Sequence, residues 1–164
     1  MRVTAFIALG SNLGDRQEYL DQALQAIQEH PRIELTQVSS FYETEPVEVA
    51  DQPWFLNCAV RLDTALEPEP LMAAIVAIER QLGRLRNRRK GPRTLDIDIL
   101  LFGAARISQP GLSVPHPAMH RRRFVLEPLA EIAPELWHPV CERTVLELRD
   151  ALPGGQSVRK QIRT

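Results

Sequence analysis

Gly91-Pro92-Arg93-Thr94-Leu95-Asp96-Ile97-Asp98-Ile99-Leu100-Leu101-Phe102 is the stretch on which the fold turns. From Thr94 it alternates polar and apolar residues with period two and is rich in large apolar side chains, which predicts a strand. Leu95, Ile97 and Ile99 then face a core. Asp96 and Asp98 point together to the other side, their Cα atoms roughly 6.6 Å apart after two strand rises. Gly91 and Pro92 punctuate the start, and Ile99-Leu100-Leu101-Phe102 reads as a strand buried on both faces. Two carboxylates at the head of such a strand repel each other and lose solvation unless a cation or an arginine compensates them. An acidic pair on a solvated strand face is the plain alternative. The buried continuation, with Arg93 beside the acids, favours a site for a hard divalent cation and a phosphate.

Working upstream, Arg84, Arg86, Arg88, Arg89, Lys90 and Arg93 fall within ten residues that contain no acid, and Arg121-Arg122-Arg123 forms a second cluster. These nine are nearly half of the 20 Lys and Arg, although the formal net charge is only −1. Concentrated cations on a nearly neutral chain suggest one local anionic ligand, such as a polyphosphate, more than an extended phosphate backbone. The segment from Arg84 to Lys90 has Leu85 as its one apolar residue and is expected to be a mobile loop. A nucleic-acid-binding module using Arg84 to Arg93 is a competing reading, weakened because the run lacks interleaved aromatics for base stacking. A metal-dependent phosphohydrolase built on the same aspartates is another.

Farther out, Glu67-Pro68-Glu69-Pro70 opens a helix, since acids and prolines favour the first turn. Leu71, Ile75, Ile78 and Leu82 form its apolar stripe, and Gly83 stops it. Glu79, one residue past a stripe position, reads as a solvated helix charge from periodicity alone. Phe55 to Asp63 is a strand with Phe55, Asn57 and Ala59 on one face. It follows Glu43 to Pro53, a loop too long for a simple hairpin and of the kind that carries function. Ile33 to Tyr42 is expected to be one strand and the N-terminal stretch Met1 to Leu9 another, its apolar run too short for a signal peptide. Gly10-Ser11-Asn12-Leu13-Gly14-Asp15 turns into a helix capped by Asp15 or Asn12. Leu20, Ala23, Leu24 and Ile27 recur there at helical spacing, with a stop near His30-Pro31. The turn lacks the Lys-Ser/Thr ending of a Walker loop and the spacing of a Rossmann fingerprint. Downstream, Val114-Pro115-His116-Pro117 is rigid and extended, so His116, near Arg121 to Arg123, is a candidate phosphate contact. Phe124 to Ala133 and Val145 to Leu152 read as helices.

The order β-α-β-β-α-β predicts the α+β class: a ferredoxin-like split β-α-β antiparallel sheet, with helices packed on it and extra C-terminal helices over its other side. The 164 residues suit a single domain, 1–164. Hydrophobic and charged fractions of 44% and 25% are ordinary. No apolar run approaches the ~20 residues of a membrane helix. No membrane or nucleic-acid partner is expected. Cys58 and Cys141 lack metal-ligand spacing and point to a reducing compartment, the cytoplasm.

With these motifs assembled, the chain resembles the 6-hydroxymethyl-7,8-dihydropterin pyrophosphokinase family of folate biosynthesis. The resemblance runs through Ala8-Leu9-Gly10-Ser11-Asn12-Leu13-Gly14-Asp15, Phe41-Tyr42-Glu43-Thr44-Glu45-Pro46-Val47 and Asp51-Gln52-Pro53-Trp54-Phe55-Leu56-Asn57. It continues in Leu82-Gly83-Arg84-Leu85-Arg86, Gly91 to Leu100, and Val114-Pro115-His116-Pro117 through Phe124. It implies that the hydroxymethyl oxygen of the pterin attacks the β-phosphorus of ATP, with AMP leaving. It further implies Asp96 and Asp98 as ligands of two Mg²⁺ ions, and Arg84 and Arg93 closing over the phosphates, these four being the catalytic set. Glu79, Arg86, Ile99, His116 and Arg122 join Arg84 and Arg93 as ATP contacts. Phe55 and Phe124 sandwich the pterin, Asn57 reads its polar edge, and Thr44, Glu45, Val47 and Asp96 complete that pocket. ATP and the pterin are the implied partners of a monomer. Lys90, Val76 and Glu48 depart from residues seen elsewhere in the family.

Overall fold

A computed structural model describes residues 2–46, 53–83 and 95–161. The expected strand is present as β5, Asp96–Phe102, and it is an edge strand paired antiparallel with β1, Val3–Ser11. Leu95, Ile97 and Ile99 are buried on one face, while Asp96 and Asp98 are half-buried on the other. The alternation breaks once. Phe6 lies opposite Leu101 and Ile7 opposite Ile99, so Leu100 is the extra residue of a β-bulge. Leu100 and Leu101 consequently join the same apolar cluster, and Phe102 returns to the cluster of Ile97 and Ile99.

The remaining elements before β5 are α1 (Arg16–Glu29), β2 (Ile33–Val38), β3 (Tyr42–Thr44), β4 (Phe55–Thr64) and α2 (Pro68–Gly83). After it come β6 (Ile107–Gln109), β7 (Leu112–Val114), α3 (Arg123–Ile132), β8 (Trp137–His138), β9 (Arg143–Thr144), α4 (Val145–Asp150) and β10 (Val158–Lys160). The main sheet runs β10-β3-β4-β1-β5, with β2 also on β4, and every pairing is antiparallel. Helix α1 begins at Asp15, whose side chain accepts the Glu18 N–H, and it buries Leu20, Ala23 and Ile27. Those residues and Leu71, Ile75 and Ile78 of α2 cover Ile7, Leu9, Cys58, Val60 and Leu62. The opposite face carries Phe6, Ala59, Leu100 and Leu101, packed with Met119, with Leu126 and Leu129 of α3, and with Val145 and Leu148 of α4. Helices therefore cover both sheet faces, and this is the α+β, ferredoxin-like arrangement that the element order predicts.

Two elements differ from expectation. Ile33 to Tyr42 is not one strand but two, interrupted at Ser39 to Phe41. There the Ser39 hydroxyl takes the Ala59 N–H at 2.9 Å and donates to the Ser40 carbonyl at 2.7 Å. Glu131, from α3, accepts from the Ser40 N–H and hydroxyl at 3.0 Å each and from the Tyr42 hydroxyl at 2.6 Å. Local side-chain bonds of this kind compete with the ladder and end it. The second difference is C-terminal: besides the expected helices there are a β8–β9 hairpin and β10, which extends the main sheet beyond β3. Helix α4 itself starts with a capping box formed by Thr144 and Glu147.

The hairpin is organised by His138, which is almost wholly buried. Its Nδ1 accepts the backbone N–H groups of Val140 and Cys141 at 3.2 and 3.0 Å. Burial, then the neighbouring His120, holds its pKa below the ordinary value, so the ring is neutral and its proton sits on Nε2. Nε2 faces Cys141 Sγ at 3.9 Å. Ligand atoms of His120, His138 and Cys141 lie within 4.8 Å of one another. With Nδ1 accepting from two backbone N–H donors, this ring acts as a turn organiser.

Candidate active site

Strand β1 lies between β4 and β5, so its small residues separate two sets of polar groups. Gly10 is opposite Asn57 on one side and Asp96 on the other; Ala8 is opposite Ala59 and Asp98. Residues paired across antiparallel strands project to the same face. Asp96, Asp98, Asn57 and, two residues along, Phe55 therefore share the face that α3 covers. The lack of bulk at Gly10 and Ala8 leaves a floor between them. At Gly10 the requirement is strict: a Cβ there would stand 2.4 Å from Asn57 Oδ1 and 3.8 Å from Phe55 Cδ2. The Asn57 amide is also pinned at its other end, its Nδ2 donating to Thr44 Oγ1 at 2.6 Å, and both residues are buried. Asn57 thus presents an amide of fixed orientation at the edge of the floor.

The segment after β7 forms the opposite wall. The His116 N–H donates to the carbonyl of the bulged Leu100 at 2.9 Å, and His116 Nδ1 accepts the Ala118 N–H at 3.1 Å. The bulge that shifts the phase of β5 therefore also anchors the histidine. Burial, and next the Arg122 charge, lower the His116 pKa against an opposing pull from Asp96. The ring is neutral at neutral pH, carries its proton on Nε2, and can donate a hydrogen bond without bringing a charge. Arg122 places its guanidinium carbon 5.5 Å from the Phe124 ring centroid, a cation–π contact between residues expected to serve different ligands.

A lowered histidine pKa has a stability consequence of definite sign. The unfolded ring takes a proton below its ordinary 6.5 while the folded ring resists it, so stability is full above 6.5 and is lost as pH falls. Thermal unfolding midpoints measured on both sides of pH 6.5 should fall on the acid side, and more gently in His116→Asn. Identical acid-side slopes would show that this ring stays neutral for no energetic reason.

Other expected site residues are placed as follows. Glu79, on α2, reaches round the edge strand, and its Oε2 accepts the Ile97 N–H at 2.7 Å. That bond satisfies an outward-facing edge donor. It sets Glu79 beside the acidic strand from the other helical layer, which periodicity alone did not indicate. The Ile99 side chain lies in the core beneath α1 and α2, so any ligand contact there falls to its main chain. Thr44, Phe55, Asn57, Asp96, Asp98, His116, Arg122 and Phe124 all belong to the α3 side of the sheet or its margin. Glu45 points its carboxylate at the Ser157 N–H, 3.0 Å away. Val47, Arg84, Arg86 and Arg93, together with the expected mobile loop and the departures at Glu48 and Lys90, lie outside the described residues. Sequence reasoning missed the roles of Gly10 and of the Arg122–Phe124 contact, because both depend on which strands and loops become neighbours.

Residues 6–134 match the family model for 7,8-dihydro-6-hydroxymethylpterin-pyrophosphokinase. The chain belongs to this family. It is 51% identical over 136 residues to the 2-amino-4-hydroxy-6-hydroxymethyldihydropteridine pyrophosphokinase of Bacillus subtilis, covering 83% of this chain and 81% of that one. The enzyme of the same name from Pseudomonas aeruginosa is 48% identical over 134 residues, covering 82% and 83%. Wild-type Plasmodium falciparum HPPK-DHPS, solved with pterin and p-hydroxybenzoate, superposes with a TM-score of 0.72 at 17% identity. That likeness concerns the fold; it covers 92% of this chain and 42% of that longer chain. For this pyrophosphokinase, the matched span holds every described candidate site residue from Gly10 to Phe124 and ends before β8, β9 and β10.

Proposed function

We propose that the chain transfers pyrophosphate from ATP to the hydroxymethyl group of 6-hydroxymethyl-7,8-dihydropterin in folate biosynthesis. The observation that carries the site assignment is the shared floor: Gly10 and Ala8 hold the Asp96–Asp98 pair and the Asn57–Thr44 pair on one sheet face, within one family match. A bond forms between the hydroxymethyl oxygen and the β-phosphorus, the β-phosphorus bond to AMP breaks, and the hydroxyl proton is released. Asn57, held by Thr44, reads the pterin's polar edge, and Phe55 and Phe124 stack on its rings. His116 donates a neutral hydrogen bond and Arg122 a charge-assisted one to ATP. Glu79, the Ile99 main chain, Arg86, and the catalytic pair Arg84 and Arg93 complete the ATP side by family resemblance; Val47 and Glu45 complete the pterin side.

Asp96 and Asp98 suit Mg²⁺: two half-buried carboxylates on one strand face, hard oxygen donors, beside residues without bulk. When bound, two Mg²⁺ ions supply charge neutralisation at the transferring phosphate. Every residue named for the proposed site belongs to one polypeptide, which supports a monomer. Among the described residues no helix is long and apolar enough to cross a membrane. The reducing cytoplasm remains the proposed compartment, on the thiol chemistry of Cys58 and Cys141.

The test is AMP formation from MgATP with and without the hydroxymethyl pterin. AMP appearing only with the pterin is the expected result. Phosphate release to water, indifferent to pterin, would make the chain a phosphohydrolase and overturn the assignment.

A further inference from the structure

β10 lies beyond residue 134, where the family match ends, yet it is joined to the pterin side of the site. It pairs antiparallel with β3, setting Val158 opposite Thr44 and Arg159 opposite Glu43. Just before it, three hydrogen bonds hold a single residue, Glu45. The Glu45 N–H donates to the Ser157 carbonyl at 3.0 Å, the Ser157 N–H donates to Glu45 Oε1 at 3.0 Å, and Gln156 Nε2 donates to the Glu45 carbonyl at 2.6 Å. One residue beyond the strand, the Gln161 N–H donates to the Phe41 carbonyl at 2.8 Å.

The same short segment grips a second point. The guanidinium carbon of Arg159 stands 4.9 Å from the centroid of the Trp54 ring. The Trp54 carbonyl accepts from Arg16 Nη1 at 3.0 Å, and Arg16 lies 3.6 Å from Glu43 Oε2, on the residue paired with Arg159. The preceding Pro53 carbonyl takes a bond from Asn12 Nδ2 at 3.1 Å. Glu45 adjoins Thr44, the residue that orients Asn57, and Trp54 adjoins Phe55, the ring beside Gly10. Both neighbours of the pterin pocket are thus tied to one C-terminal segment.

We propose that residues 156–159 form a clamp that sets the separation of Glu45 and Trp54 and thereby aims Thr44 and Phe55, with Arg159 as a positioning residue for the pterin. The inference rests on the pyrophosphokinase reading. Thr44 and Phe55 already face each other across β3 and β4, but Glu45 and Trp54 lie past that last pair, and residues beyond the end of a ladder sample more geometries, from which binding must select one at a cost in affinity. A cross-strand partner on one end and a cation over the aromatic ring at the other remove that cost beforehand. Arg159 is exposed, so its contact with the Trp54 ring belongs to the weaker range of cation–π interactions. None of these contacts involves Asp96, Asp98, His116 or Arg122, so the effect is confined to the pterin.

The experiment uses the full chain and calorimetry with two probes: a non-hydrolysable ATP analogue with Mg²⁺, and the hydroxymethyl pterin added to that complex. Arg159→Ala should weaken pterin binding roughly fivefold, leave the analogue unchanged, and be restored by Arg159→Lys, which keeps a cation over the ring. Unchanged pterin affinity in Arg159→Ala, or an equal loss for both ligands, overturns the clamp. Wild-type chain that bound no pterin would instead overturn the pyrophosphokinase reading. In that event amide exchange at Thr44 and Phe55 still decides the clamp: faster in Arg159→Ala and normal in Arg159→Lys if it holds, indifferent to both if it does not.

Discussion

Asp96→Ala and Asp98→Ala should each lower turnover on the order of a thousandfold, because each removes a carboxylate from the proposed metal centre, whose neutralisation of the transferring phosphate contributes several kcal/mol. The fold should survive. Both side chains are half-buried on the site face, while the core contacts of β5 and the residue before it are made by Leu95, Ile97, Ile99, Leu100, Leu101 and Phe102. Removing either acid also relieves its repulsion of the other, which offsets part of any lost stability. The measurement is steady-state turnover at saturating MgATP and pterin, beside the thermal midpoint of each variant. Near-normal turnover in either, with the midpoint preserved, would remove that carboxylate from the metal site.

Gly10→Ala should weaken pterin binding roughly tenfold to a hundredfold, for a reason invisible to residue type. The added methyl would meet Asn57 Oδ1 at 2.4 Å, in the middle of a paired sheet where backbone cannot retreat. Asn57 must swing away, which breaks its bond to Thr44 and disturbs the adjacent Phe55 ring. Such overpacking costs about 1–3 kcal/mol, and here it falls on the pterin pocket. A double-mutant cycle isolates the cause: added to Asn57→Ala, the Gly10→Ala change should cost almost nothing more. A pterin affinity untouched by Gly10→Ala, or full additivity in the cycle, would show that the two residues do not share a role.

Much of the fold was legible because its signals are local. The alternation from Leu95 to Ile99 and the stripe Leu71, Ile75, Ile78 each follow from the geometry of one element and are present, and of the two candidate caps Asp15 and Asn12 the structure takes Asp15. The bulge at Leu100 was not legible, since it is defined only by the register against β1. The break at Ser39 to Phe41 depends on Glu131, 91 residues away from Ser40 in the chain. β10, a short and mostly polar strand, has no apolar period of its own and becomes a strand because the β3 edge supplies its hydrogen bonds.

The site divides along the same line. Spacing along one strand put Asp96 and Asp98 on a common face, and charge density named a polyphosphate. Resemblance to a family supplied roles for Phe55, Phe124, Asn57 and His116. Only the tertiary structure decided that Gly10 must lack a side chain, that His116 hangs from the bulge carbonyl as a neutral donor, and that Glu45 turns to Ser157. The physical reason is that helix and strand periods are written within a few residues and survive in any context that buries one face. The identity of a cross-strand neighbour, and with it a pKa, a close approach or a cation over a ring, exists only once distant segments have been brought into register.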